Sequence, residues 1–440
     1  MNTHYQTDIE KDMKKLIIRS ALLLATFLAA PLCAQESVNV VINDNGTQRE
    51  ETIDLPRSMT YPLDSLLNDW KAKTYIDLGK DCSTSHENPL FSDSVYIDRL
   101  SRMPVIMEMP YNEIVRKFID MYATRLRNQV SFMLSACNFY MPIFEKALDA
   151  YGLPLELKYL PIIESALNPS AVSRAGAAGL WQFMLQTGKI YGLESNSLVD
   201  ERRDPIKATW AAARYLKDLY GIYNDWNLVI AAYNCGPGTI NKAIRRAEGK
   251  TDYWDIYNYL PRETRGYVPA FIAANYIMSY YCKHNICPME TNIPAATDTV
   301  QVSRNLHFEQ VADICHVPMD ELKSLNPQYK RNIIPGDSKP QTLRLPMNAI
   351  STFIDNQDTI YNHRQAELFK NRRTVAVGNG RTTTSKAVAG TGKPTYYKIK
   401  KGDTLGSIAL RYGVSVSKLR SWNGLRGNNI RAGKTLKIYK

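Results

Sequence analysis

Histidine is rare in this chain, six residues in 440, and none of the six lies in a His-Glu-x-x-His pattern, while the seven cysteines lack zinc-site spacing. No metal and no other cofactor is expected. Acidic residues are the minority charge. Against 43 Asp and Glu stand 55 Lys and Arg, and the formal net charge of +12 favours a polyanionic partner: nucleic acid, an anionic membrane surface or an anionic cell-wall polymer. Glycine and proline, 23 and 22 residues, are too few for a collagen-like or wholly disordered chain, and 44% hydrophobic residues is an ordinary globular share. The length suits roughly two to four domains. Long apolar runs are also missing, with one exception.

That exception is N-terminal. Met13-Lys14-Lys15 precedes an apolar run from Leu16 to Leu32, broken only by Arg19 and Ser20, and Cys33-Ala34-Gln35 follows. Residues 1–34 read as a secretory signal peptide, with Met13 a candidate start and cleavage after Ala34. The uninterrupted stretch from Ala21 to Leu32 is short for a bilayer span. Cys33 keeps a lipoprotein, and with it membrane association, open as an alternative, although Leu32 is bulky where such signals take a small residue. Export to the periplasmic cell envelope is expected, and there disulfides are permitted among Cys82, Cys137, Cys235, Cys282, Cys287 and Cys315. Cys282 and Cys287 are near enough for a local bridge; scattered thiols fit equally well.

Residues 35–105 give a strand at Val38 to Ile42, a turn at Asn43 to Gly46, and no assignable chemistry. Residues 106–290 read as all-helical. Ile114, Phe118, Met121, Tyr122, Leu126, Phe144, Ala147 and Leu148 recur at helical spacing, predicting two helices broken near Asn138 to Pro142. Another helix starts at Pro154, another at the Asp204 cap with Pro205 in its first turn, and a last one covers Val268 to Tyr281. Residues 299–346 alternate short strands with helical middles. Residues 347–394 read as a linker, flexible from about 374, and 395–440 as a small fold of their own.

Chemistry concentrates around Glu164, which follows Leu160-Pro161-Ile162-Ile163. A carboxyl group held among apolar side chains resists ionisation and can serve as a general acid near neutral pH. Three motifs follow: Gly176-Ala177-Ala178-Gly179-Leu180-Trp181-Gln182-Phe183-Met184, Ala231-Ala232-Tyr233-Asn234-Cys235-Gly236 and Leu260-Pro261-Arg262-Glu263-Thr264-Arg265-Gly266-Tyr267-Val268. In this order and spacing the chain resembles the family 1 lytic murein transglycosylases. The Trp of Gly-Leu-Trp-Gln and the run Asp200 to Pro205 narrow the likeness to the membrane-bound D-type branch of that family.

The resemblance implies a goose-type lysozyme-like helical domain. It implies Glu164 as the single catalytic acid/base, Ser165 positioning it or the substrate, and Gln182, Asn234, Tyr267, Trp181 and Tyr233 at the substrate. It implies cleavage of the β-1,4 bond between N-acetylmuramic acid and N-acetylglucosamine by the muramoyl 6-hydroxyl, leaving a 1,6-anhydro sugar, where ordinary glycosidases use two carboxylates. Asp200, Glu201 and Asp204 are expected in ion pairs with Arg202 and Arg203.

The end of the chain, from Tyr397-Lys398-Ile399-Lys400-Lys401-Gly402-Asp403-Thr404-Leu405 through Trp422-Asn423 to Leu436-Lys437-Ile438, resembles a LysM domain of βααβ form. That likeness implies glycan binding through Gly402, Asp403, Thr404, Leu405 and Asn423. Residues 299–346, with Leu325-Asn326-Pro327 and Ile334-Pro335-Gly336, resemble a degenerate copy in which Asn305-Leu306-His307-Phe308 replaces the glycine-led opening. The expectation is a multi-domain enzyme acting on peptidoglycan strands. A hydrolytic muramidase and a catalytically silent wall-binding scaffold are the alternatives; a nucleic-acid partner is not expected.

Overall fold

The computed structural model describes residues 36–44, 47–62, 74–75, 87–290, 296–370, 394–400, 403, 405, 408, 412, 414, 416–425 and 430–439. The signal peptide with Met13 and Cys33, Cys82, the tether from 374, Gly402 and Thr404 lie outside them. The chain divides into two compact units after Leu368.

The first unit opens with an antiparallel hairpin, β1 (Ser37–Asp44) and β2 (Thr47–Asp54), where a strand and turn were expected. Ile53 and Leu55 are fully buried, so the hairpin is part of the main core. It reaches that core at Gly266, where a Cβ would lie 2.7 Å from Asp54 O and 2.8 Å from Ile53 Cγ2; only glycine admits the strand this closely.

Helices follow: α1 (Asp93–Ser101), α2 (Glu113–Ala123), α3 (Arg127–Ala150), α4 (Leu160–Ser165), α5 (Leu185–Ile190), α6 (Pro205–Tyr223), α7 (Trp226–Cys235), α8 (Pro237–Arg246), α9 (Tyr253–Ile256) and α10 (Arg262–Tyr280). The expected break near Pro142 is not there. Helix α3 runs through Pro142, and the chain breaks earlier, at Thr124 to Leu126. A proline inside a helix loses one hydrogen bond, but Phe132, Tyr140, Phe144 and Leu148, from both sides of it, fill one core. Helix α6 begins as expected, with the Asp204 carboxylate accepting from the amides of Ile206 and Lys207 at 2.9 and 3.0 Å. Short strands β3 (Thr74–Tyr75) and β4 (Met289–Glu290) pair at the far end. Cys287 is disulfide-bonded and Cys282 is a free thiol, so the local Cys282–Cys287 bridge is not formed.

A smaller module follows in the same unit. Strands β5 (Thr297–Val302) and β8 (Gln341–Pro346) pair antiparallel around α11 (Phe308–Cys315) and α12 (Met319–Leu325), with an added pair, β6 (Asn305–His307) and β7 (Ile333–Pro335). Its continuation corrects the linker expectation. Residues 347–368 carry helices α13 (Met347–Asp355), α14 (Gln357–Asn362) and α15 (Gln365–Leu368), and Phe353 and Ile360 are buried in the module's core with Leu306 and Phe308. The module is docked on the helical domain. Val199 joins its core, the Asp200 amide donates to Gln328 O at 2.9 Å, and the Lys330 amide to Leu198 O at 2.7 Å.

In the second unit, β9 (Thr395–Lys398) pairs with β10 (Thr435–Ile438) and α16 (Val416–Asn423) packs beside them; Ile399, Leu405, Ile408, Leu419, Leu436 and Ile438 form its core.

Candidate active site

Glu164 sits in the last turn of α4. Leu160, Ile162 and Ile163 are buried and fix the helix, and the chain then turns sharply through Ala166 and Leu167, both left-handed with φ of 50° and 61°. The amides of Ala166 and Leu167 return to Ile162 O and Pro161 O at 3.1 and 3.3 Å, which closes the helix and leaves Glu164 on the floor of a cleft of about 250 Å³. Burial pushes its carboxyl up to about 8; the hydrogen bond from Tyr267 and the charge of Arg57 act downward, and the nearby Glu263 upward. The negative end of α4's dipole acts in the same sense as burial.

Helix α10 brings Tyr267 to this carboxyl, its hydroxyl donating to Glu164 Oε1. Helix α7 brings Tyr233, whose hydroxyl donates to Trp181 O at 2.7 Å, and Asn234, whose Oδ1 accepts from Thr264 Oγ1 at 2.8 Å, leaving the amide nitrogen to donate into the cleft. Burial and the carboxyl of Glu164 hold both phenols, Tyr233 and Tyr267, well above the usual range, so both remain neutral donors.

The opposite rim is the loop from Ala171 to Phe183. Gln182, at φ 45°, donates through Nε2 to Gly179 O and Ala171 O at 2.8 and 3.2 Å, so its Oε1 is left as an acceptor. Gly179 lets this loop lie on the next segment, since a Cβ there would stand 1.8 Å from Arg202 O. The Arg202 guanidinium holds the loop from behind: Nη1 donates to Gly176 O and Phe183 O at 2.8 and 3.0 Å, while Nε and Nη2 grip Asp200 at 2.9 and 2.8 Å.

Glu164, Gln182, Tyr233, Asn234 and Tyr267 are therefore gathered around one cleft. Trp181, expected at the substrate, is not there, and Ser165, expected to position Glu164 or the substrate, does not touch the substrate cleft. Trp181 has no exposed surface; its indole packs on Phe144 and donates to Thr209 Oγ1 at 2.9 Å. Ser165 is equally buried and donates to Leu180 O at 2.9 Å and Pro161 O at 3.1 Å, joining α4 to the rim loop without reaching the cleft. The ion-pair expectation holds for Asp200 with Arg202 but not for Arg203, whose buried Nε has no partner among the described residues. The other cations are lysines: Lys330 on Asp200, and Lys207 and Lys339 on Glu201.

In the second unit, Asp403 accepts from the Lys400 amide at 2.8 Å and the Tyr397 hydroxyl at 2.7 Å. Leu405 is 1% exposed, a core residue and not a sugar contact. Asn423 spends its amide on backbone, donating to Leu419 O and Lys437 O and accepting from the Lys437 amide. Both corrections have the same cause: the side chains are used up within the fold.

Cleft residues that gave no sequence signal of their own role include Pro56 and Arg57, which enter from the N-terminal segment, and Glu263, a second carboxyl inside a motif noticed for its tyrosine. Among the described residues no three His, Cys, Asp or Glu side chains converge as a metal site.

Residues 141–256 match the transglycosylase SLT domain, 296–362 the LysM-like domain of lytic transglycosylase MltD, and 397–438 the LysM domain. The chain is 32% identical over 336 residues to membrane-bound lytic murein transglycosylase D of Escherichia coli strain K12, an alignment covering 76% of this chain and 70% of that protein. It is also 32% identical over 124 residues to the soluble lytic murein transglycosylase of the same strain, covering 27% and 19%. Superposition on the crystal structure of the 70 kDa soluble lytic transglycosylase of Escherichia coli gives a TM-score of 0.31 at 25% identity, covering 40% of this chain and 29% of that one. On the strength of the long sequence alignment, the chain belongs to the lytic murein transglycosylase family.

Proposed function

We propose that the protein cleaves the β-1,4 bond between N-acetylmuramic acid and N-acetylglucosamine in peptidoglycan, with Glu164 as the acid and then the base of one non-hydrolytic reaction. Tyr267 occupies Oε1, so Oε2 carries the proton. That proton passes to the bridging oxygen as the glycosidic bond breaks. The resulting carboxylate takes the proton of the muramoyl 6-hydroxyl, whose oxygen closes on the anomeric carbon to give the 1,6-anhydro sugar. Atoms balance without water, and Glu164 returns to its starting state. Asn234 and Gln182 offer a donor and an acceptor for N-acetyl and hydroxyl groups, and Tyr233 shapes the wall. The carrying observation is a carboxyl pushed up to about 8 at the cleft floor with a neutral phenol on one oxygen.

The LysM-type modules and the excess of basic residues support action on anionic wall strands in the cell envelope, where a tethered binding domain raises the local concentration of enzyme on the polymer. Among the described residues no helix is long and apolar enough to cross a membrane. Export and a periplasmic site of action belong to the same proposal.

Glu263 in the cleft favours a second reading, a muramidase in which that carboxylate activates water. Digestion of purified peptidoglycan by the protein and by Glu164→Gln, followed by mass spectrometry, separates the two. Fragments one water lighter than lysozyme products, absent with the variant, support the transglycosylase. Reducing-end fragments of lysozyme mass support the muramidase, and wall binding without release by either protein overturns both.

A further inference from the structure

The N-terminal segment enters the cleft at one point. After β2 the chain makes a 3₁₀ turn, Arg57–Thr60, seated on the helix that carries Glu164: Ser58 Oγ donates to Ile163 O at 2.7 Å, Met59 is buried, and Thr60 Oγ1 returns to Arg57 O at 2.8 Å. The backbone of Arg57 is thereby fixed against the residue preceding the acid. Its half-buried side chain forms part of the cleft wall, and among the described residues it is the one cation lining that cleft. Its charge is felt at both Glu164 and Tyr61. No carboxylate among the described residues forms an ion pair with it, whereas Arg265 is paired with Glu51 and Arg202 with Asp200.

A guanidinium drawn partly out of water without a hydrogen-bonded carboxylate is costly, and its planar fork is matched to one. The substrate proposed above has one to offer close to the scissile bond. The muramoyl unit carries an O3 lactyl group whose carboxyl is free on bare glycan, and on substituted glycan the attached peptide supplies others.

We infer that Arg57 is a specificity-determining residue that receives a carboxylate borne by the muramoyl substituent, so that the N-terminal segment completes the substrate site. This rests on the transglycosylase reading. The contact is a charge-assisted hydrogen-bonded pair made in the bound complex; no bond is made or broken at Arg57. Glu263 lines the same cleft and disfavours a substrate anion placed near it, whereas the Arg57 guanidinium favours one.

Steady-state kcat/KM is measured on three substrates: bare glycan strands, the same strands with their carboxyls capped as methylamides, and peptide-bearing strands. The protein is expected to prefer uncapped over capped strands by roughly tenfold, the worth of one charge-assisted bond. Arg57→Gln is expected to erase that preference, and Arg57→Lys, which keeps the charge without the fork, to retain part of it. Loss confined to bare strands identifies the lactyl carboxylate, and loss confined to peptide-bearing strands a stem carboxylate. An equal loss on capped and uncapped strands, or a loss that appears only as a shifted upper limb of the pH profile, overturns the proposal and makes Arg57 a tuner of Glu164. Equal activity of the unsubstituted protein on capped and uncapped strands overturns it without any variant. Failure of the transglycosylase reading shows separately, as absence of anhydro products.

Discussion

Glu164 and Asp200 are two carboxyls drawn into the same domain and held in opposite states. Around Glu164 the packing is apolar, the strongest local partner is a phenol, and the carboxyl is pushed up to about 8. Around Asp200 burial acts the same way, but the two-bonded Arg202 guanidinium and Lys330 overcome it and hold the group below the usual range. Burial alone therefore does not make an acid; what matters is whether the sequence supplies a cation to compensate it. Lys330 belongs to the docked module and Arg202 grips the cleft rim, so the charged carboxylate serves to assemble the wall of the cleft in which the neutral one works.

The sharpest way to break this contrast is to exchange each carboxyl for its amide. Glu164→Gln is expected to lower turnover by roughly 10²- to 10⁴-fold, the usual worth of a positioned acid and base, while Glu263→Gln lowers it by less than about tenfold; both are read by release of anhydro muropeptides. The reverse ranking hands the chemistry to Glu263. Next in size, Arg202→Met strands Asp200 without its main partner and is expected to cost about 3–5 kcal/mol in urea unfolding, with loss of activity following loss of the rim.

The pH dependence of stability sharpens the contrast, because the two signs differ. Between the ordinary 4.5 and about 8 the folded protein holds a proton on Glu164 that the unfolded chain has released, so this group lowers stability as pH rises through that window. Glu164→Gln should remove that slope from melting curves. Asp200, depressed in the fold, adds stability above the ordinary aspartate range that disappears as pH falls below it, so Asp200→Asn should flatten the acid side.

Glu164 was legible because an apolar run and three ordered motifs frame it, and Asp204 because a cap followed by proline has one physical meaning. Arg57 was not, since nothing in a weakly patterned segment announces that its turn will sit on a distant helix. Trp181 and Asn423 were misassigned for another reason: an aromatic or an amide suited to sugars is equally suited to a core or to backbone.

Asn423 makes the point twice over. In the docked module Asn326 donates to Leu322 O and Arg344 O at 2.9 and 2.8 Å and accepts from the Arg344 amide at 2.8 Å, the same three bonds that Asn423 makes to Leu419 and Lys437. The shared asparagine is a clamp between helix and strand in both modules. Alanine at either position is expected to cost about 1–3 kcal/mol in thermal or urea unfolding, and an Asn423→Ala protein that stays fully stable but no longer binds wall glycan would restore its role as a sugar contact. The smallest effect, about 1 kcal/mol or less, is expected for Lys339→Ala, which removes a half-exposed pair with Glu194 and a longer one with Glu201, whose carboxylate keeps Lys207.

The most direct measurement is the titration of Glu164 itself, followed through its δ-carboxyl carbon by ¹³C NMR and assigned by the signal missing from Glu164→Gln. A midpoint near 8 is the result expected of an acid kept neutral by its surroundings. A midpoint at the ordinary 4.5 would mean that the group is ionised at neutral pH, and the single-acid mechanism would fall.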